Sequence, residues 1–185
     1  ICVSYEHEVR SVVSLFVTSK YKYMVKNPSK TIQELQQEVA KAKHPNAKIS
    51  ALNKLALAVM PGDVNRAIAL SKEALSLAEQ LSYLQGIAES CYTLADMYSV
   101  MVGNNSIALD YATRALALFR QLDDSRNEAW TLKVMGGIYV DLGNIAAAED
   151  CLKQASDIAT TLGLRYLQGS ISAKLGILYK NTARY

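Results

Sequence analysis

Residues 129–160 read AWTLKVMGGIYVDLGNIAAAEDCLKQASDIAT, and the reading of this stretch decides the fold. Leu132, Met135 and Tyr139 recur at steps of three and four, the spacing of one helical face. Gly143-Asn144 interrupts the pattern, and Ala148, Leu152 and Ala155 then mark a second face at the same spacing. The stretch predicts two antiparallel helices joined by a glycine turn. The paired helices are expected to cross at Gly136, because only a very small side chain lets two helix backbones approach closely.

Working outward, the same unit recurs. Leu55-Ala56-x-x-Val59, Leu94-Ala95-x-x-Tyr98, Met135-Gly136-x-x-Tyr139 and Leu175-Gly176-x-x-Tyr179 place a small residue at Ala56, Ala95, Gly136 and Gly176, at steps of 39, 41 and 40. A turn follows at Gly62-Asp63, Gly103-Asn104 and Gly143-Asn144. Alanines then fall at Ala67, Ala108 and Ala148, and again at Ala74, Ala115 and Ala155, each series stepping by 41 and 40. The turn glycines are expected in the left-handed conformation that ends a helix. One hairpin cannot bury its own apolar face, so neighbouring units must stack.

Composition agrees. Of the 185 residues, 50% are hydrophobic and 20% charged, which excludes bulk disorder. Nine glycines and three prolines are too few for the turns of a β-sandwich or barrel. The net charge of +3 is too mild to demand nucleic acid or an anionic membrane. Two histidines, His7 and His44, argue against a multi-histidine metal site. No phosphate-binding G-x-x-x-x-G-K, no H-E-x-x-H and no G-x-S-x-G occurs. No cofactor is expected.

The spacing resembles the tetratricopeptide repeat, with L-G-x-x-Y, then A-x-x-x-F, then A. Residues 129–160 carry that pattern best. Residues 88–120 follow, through Cys91, Leu94, Ala95, Tyr98, Gly103, Ala108, Ala112 and Ala115, and residues 48–80 fit with one deletion before Gly62. The period is about 40 rather than the family's 34, and the closing proline is absent. The resemblance implies an all-α fold, an α-α superhelix built as a right-handed solenoid of helix hairpins. The expected organisation is a helical cap or degenerate repeat over 1–45, repeats over 46–83, 84–124 and 125–163, and the first helix of a truncated repeat over 164–185.

At the N-terminus, residues 3–24 read as a helix, and Asn27-Pro28-Ser29 breaks it. Ser29 or Thr31 is expected to cap a second helix over 31–43 with Glu34 in its first turn. His44-Pro45 ends that helix, since the residue before proline is pushed out of the helical region. Residues 1–54 hold nine Lys/Arg against four Asp/Glu. Lys20, Lys22, Lys26 and Lys30 with Tyr21 and Tyr23 read as a solvated helix end rather than a phosphate-contacting patch. Glu6-His7-Glu8 cannot converge as an acid–base cluster, because consecutive helical residues point apart. Asn104-Asn105-Ser106 matches a glycosylation sequon but reads as an interhelical turn.

The three cysteines, Cys2, Cys91 and Cys151, form no disulfide framework and suggest a reducing, cytoplasmic setting. The alternative is the periplasmic part of a membrane-anchored parent, and one Cys91–Cys151 bridge stays open. A chain that begins at Ile1 and stops at Tyr185 inside a helical pattern reads as a piece of a longer protein.

Function is expected in a surface. The resemblance implies that the first helix of each unit lines a concave groove. The groove positions are then Asn53 and Leu57; Glu89, Tyr92, Asp96 and Ser99; Trp130, Lys133, Gly137 and Val140; and Ala173, Ile177 and Lys180. Trp130, the only tryptophan, is the candidate anchor. Family members that grip a C-terminal carboxylate pair a lysine with an asparagine one turn apart. Here Gly137 follows Lys133 and Leu57 follows Asn53, so acidic chaperone tails are not the expected ligand. Leu175, Leu178 and Tyr179 are expected to face solvent on the last helix, as a possible homodimer contact. The implied role is a non-catalytic protein-interaction module. Forty-residue repeats of this kind resemble the sensory or dimerisation regions of bacterial signalling proteins such as diguanylate cyclases. A free-standing assembly scaffold is one alternative. Another is a small-molecule receptor with its ligand near Tyr92, Asp96 and Trp130.

Overall fold

The computed structural model describes residues 31–182. The expected helix over 3–24, the Asn27-Pro28-Ser29 break, the basic cluster and Glu6-His7-Glu8 lie outside the described residues. Within them are eight α-helices, one π-helical segment and no strand. The helices are α1 (Ile32–Lys41), α2 (Pro45–Val59), α3 (Val64–Gln80), α4 (Leu84–Met97), α5 (Asn105–Gln121), α6 (Ser125–Asp141), α7 (Ile145–Thr161) and α8 (Arg165–Thr182). The π segment, Tyr98–Val102, continues α4. The fold is all-α.

Two compact units divide the chain, one ending at Leu77 and one beginning at Ala78. In the first, α1 packs on α2. The cap of α1 is Thr31, whose hydroxyl accepts from the Glu34 amide at 3.2 Å while the Glu34 carboxylate accepts from the Thr31 amide at 2.6 Å. This reciprocal pair satisfies two amides that a helix start otherwise leaves unpaired. Pro45 begins α2, where its missing N–H costs nothing. Ile49, Leu52, Leu55, Ala56 and Val59 form the buried face of α2. Lys48 on α2 pairs with Glu73 on α3 at 3.6 Å, with both side chains well exposed.

In the second unit the hairpins α4–α5 and α6–α7 are the most extensive contacts, and α5 packs on α6 and α7 on α8. The first helices also touch one another, α4 against α6 and α6 against α8. This is the stacked-hairpin arrangement the spacing predicts. The alanine series explains how tightly the helices meet. Ala67, Ala74, Ala108, Ala115, Ala148 and Ala155 are all fully buried. At Gly136 a β-carbon would stand 2.6 Å from Leu152 Cγ, so the crossing of α6 and α7 requires glycine there.

The turns differ in length and share one anchor. The carbonyl at the equivalent position, Val59, Tyr98 or Tyr139, accepts from the N-cap amide of the next helix, Asp63, Asn104 or Asn144, at 2.9, 3.0 and 2.9 Å. Those bonds span four, six and five residues. The extra residue after Tyr98 is absorbed by the π turn, which is how a helix accommodates an insertion without losing its hydrogen bonds. Each N-cap side chain in turn accepts from the third residue on: Arg66, Ile107 and Ala147. Gly103 and Gly143 are left-handed as expected, both at φ 70°. Gly62 is not, because its turn is one residue shorter and needs no left-handed residue. The links between repeats use the same left-handed device at Ser82, Asp123 and Gly163.

Candidate protein-binding surface

In the second unit the first helices α4 and α6 are each packed against the partner helix of their hairpin, α5 and α7, and α8 packs against α6 and α7. α6 is the most enclosed, and Thr131 through Ile138 are buried without a break. It lies between α4 and α8 and against both α5 and α7.

On this row the expected groove residues separate into three groups. Tyr92, Asp96, Lys133 and Gly137 are buried. Asp96 is 1% exposed and Lys133 5%. Buried charges persist only when compensated, and Tyr92, Asp96 and Lys133 all have interaction partners. Burial and the neighbouring Asp96 charge push the Tyr92 hydroxyl well above the ordinary phenol pKa. It stays neutral, a hydrogen-bonding group rather than an acid. Glu89, Ser99, Trp130 and Val140 are half-buried. Ala173, Ile177 and Lys180 are exposed. In the first unit, Asn53 is buried on α2 and Leu57 half-buried.

Trp130 packs its ring against Tyr166 of α8, with centroids 6.1 Å apart and planes at 35°. Tyr166 is 36% exposed, so the pair presents a continuous aromatic surface across two first helices. Gly137 does not leave a void. Lys174 lies over it, its Cε and Nζ both 3.7 Å from where a β-carbon would stand. Tyr166 and Lys174 are the residues that the repeat spacing alone missed. The spacing pairs Gly137 with Ile177, 40 residues on, whereas the side chain that reaches Gly137 starts one turn earlier on α8. Adjacent helices pack at an angle, so contacts cut across the repeat register.

The rim near the helix starts is polar. Gln85 of α4 donates to Glu89 at 3.0 Å and to Asp124 at 3.4 Å. Asp124 also caps α6, accepting from the Asn127 amide at 3.1 Å and its side-chain amide at 2.7 Å. These bonds tie the entry of α4 to the entry of α6. On the second-helix side Arg114 meets Glu79 at 2.7 Å, and Arg120 meets Glu128 at 2.7 Å and Gln154 at 3.2 Å. Pairs this exposed add little stability.

The last helix departs from expectation. Leu178 is 2% exposed and belongs to the core, because it turns back towards the preceding helices. Leu175 is half-buried. Tyr179 is 46% exposed as expected, but its hydroxyl donates to Glu149 Oε1 of α7 at 3.0 Å. Ile177, 47% exposed, replaces Leu178 as the solvent-facing residue.

Cys91 and Cys151 are buried free thiols. Burial pushes the Cys91 thiol up to about 11, which makes it a poor nucleophile at neutral pH. Among the described residues no group of His, Cys, Asp and Glu is placed to hold a metal ion. None of the described helices is long and apolar enough to cross a membrane. In the first unit a cavity of about 650 Å3 opens between α1 and α2, with Glu34, Glu38, Lys41, Ser50, Ala51 and Lys54 in its walls.

Residues 83–161 match the tetratricopeptide repeat family model. The match supports reading this part of the chain as tetratricopeptide repeats, a family of helical modules that engage protein partners. Comparison with curated proteins finds no match.

Proposed function

We propose that the chain is the interaction region of a larger signalling protein and binds a peptide or protein segment along the exposed side of α4, α6 and α8. The observation that carries this reading is the Trp130–Tyr166 pair, half-exposed across two neighbouring helices. Aromatic anchors of this kind supply much of the energy of protein interfaces. Glu89, Ser99 and Val140 lie on the same row of helices and, with Lys174 over Gly137, give the surface both charge signs. Tyr92 and Asp96 of α4 and Lys133 of α6 are buried polar side chains of the same row. Ala173, Ile177 and Lys180 extend the surface along α8, and Asn53 and Leu57 belong to the first repeat. In this reading the parent carries a sensory repeat array ahead of an output domain such as a diguanylate cyclase, and it resides in the cytoplasm.

The test is selection of binders from a displayed peptide library on the full chain, followed by titration with Trp130→Ala. Binding should weaken at least tenfold while the melting temperature holds. Equal binding would remove Trp130 from the site. Sequencing the source gene beyond the Tyr185 codon tests the signalling parent, which an absent output domain would refute.

A further inference from the structure

Lys174 of α8 meets Gly137 of α6 across neighbouring first helices, its Cε and Nζ both 3.7 Å from the β-carbon position of the glycine. The two residues are 37 apart in the chain, and the same 37 residues separate Asp96 of α4 from Lys133 of α6. Asp96 and Gly137 are 41 residues apart, as are Lys133 and Lys174. Between α4 and α6 the step therefore leads from an acid to a base. Between α6 and α8 the base remains, and glycine stands where the acid would be.

The consequence is electrostatic. Asp96 and Lys133 are buried, and both have interaction partners. Lys174 is half-buried. Among the described residues it takes part in no ion pair. The sequence of α8 holds no Asp or Glu. A half-buried ammonium group without a counter-charge favours an anion arriving from outside more than a fully solvated lysine does. Lys174 also faces the preceding first helix. Gly176, the register position at which a second helix meets the first, is two residues further on and about 200° round α8.

We propose that Lys174 and Gly137 form a subsite for an aspartate or glutamate side chain of the bound partner, which takes the place that Asp96 holds one repeat earlier. This subsite rests on the reading of α4, α6 and α8 as a peptide-binding surface and names what that surface selects. Trp130 and Gly137 are seven residues apart on α6, which is two turns and about 10 Å along one face. An extended peptide covers that distance in about three residues. The partner segment carries an apolar residue for the Trp130–Tyr166 pair and an acid about three positions away from it.

The test is selection from a displayed library of random peptides, run in parallel on the full wild-type chain and on Lys174→Glu, Gly137→Asp and Trp130→Ala. Wild-type binders should be enriched in an acid at that spacing from an apolar residue, and Lys174→Glu should lose the enrichment. Gly137→Asp should lose it too while melting no lower than the wild type, because the new carboxylate fits beside Lys174 and meets its ammonium group. One selected peptide, synthesised with an amidated C-terminus, should bind the wild type about tenfold more tightly than its acid-to-amide analogue. Gly137→Asp should abolish that preference. Equal acid enrichment on Lys174→Glu and the wild type, or wild-type binders without an acid, overturns the subsite. So does a requirement for a free peptide C-terminus, which would make the terminal carboxylate the ligand. Binders that need Trp130 and ignore Lys174→Glu overturn the subsite and leave the groove standing. No binders, or binders indifferent to Trp130→Ala, overturn the groove and the subsite with it.

Discussion

Leu152 of α7 occupies the place where a β-carbon on Gly136 of α6 would stand, its Cγ 2.6 Å and its Cδ2 2.7 Å from that point. The obstructing atoms include the branch point of the leucine, not only a free side-chain end, and Ala148 O stands 3.5 Å away on the same side. The hairpin is therefore closed to its limit at this crossing.

Gly136→Ala should accordingly destabilise the chain. The helix gains about 1 kcal/mol of propensity from the substitution. Overpacking of a filled crossing costs about 1–3 kcal/mol. The net loss should be roughly 1 kcal/mol, read as a lower midpoint in urea denaturation. An unchanged or higher midpoint would mean that Leu152 swings away freely and that the crossing is looser than its geometry.

Asn144 joins the second helix of the hairpin to the first. Its amide donates to the Tyr139 carbonyl at 2.9 Å and its side-chain oxygen accepts from the Ala147 amide at 3.2 Å. Asn144→Ala keeps the first bond and removes the second, at a cost of about 1 kcal/mol. Asn104→Ala should cost a similar amount, despite the π turn ahead of it. A much smaller effect at Asn104 would show that the inserted residue has uncoupled that cap from the helix. Thermal denaturation of the two single variants and their double makes the comparison.

Asp123 is held at φ 54°, in the left-handed region that disfavours residues with a side chain. Gly143 and Gly163 occupy the matching helix-end positions elsewhere in the second unit. Asp123→Gly should raise stability by about 0.5–1 kcal/mol, since relief of the strained conformation exceeds the added freedom of the unfolded chain. A drop in melting temperature would show that the Asp123 side chain contributes a bond stronger than the strain.

The buried thiol of Cys91 sets a pH dependence. Its pKa in the folded chain is raised to about 11, mainly by burial. An unfolded thiol titrates near about 8.5. The folded state therefore holds this proton more tightly than the unfolded state does. Its contribution to stability is fully present below about pH 8.5 and is lost as pH rises towards 11. Tyr92, also raised by burial, acts in the same direction at higher pH. Stability measured from pH 8 to 11 should fall less steeply in Cys91→Ala than in the wild type. Parallel curves would mean that Cys91 ionises without opening the core.

The helices, their turns and their buried faces were legible in the sequence because they depend on local spacing. Ala108, Ala115, Ala148 and Ala155 repeat at the interval of the hairpin, and each is fully buried. Thr31 and Glu34 form the cap that their separation of three residues permits. The left-handed turns at Gly103 and Gly143 are ones that glycine permits, whereas Gly62 shows that the length of the turn decides whether that freedom is used. What spacing could not supply was the relation between neighbouring helices. Lys174, not Ile177, reaches Gly137, because packed helices cross at an angle and bring together residues from different positions of the repeat. Leu178 turned inward and Ile177 outward for a related reason: the orientation of α8 is set by what it packs against. The sequence alone determined the elements of this protein and the crossing points available to them, since both depend on residue size and helical period. Only the tertiary structure decided which side chains share a surface, since that depends on the angle and offset at which one helix lies on the next.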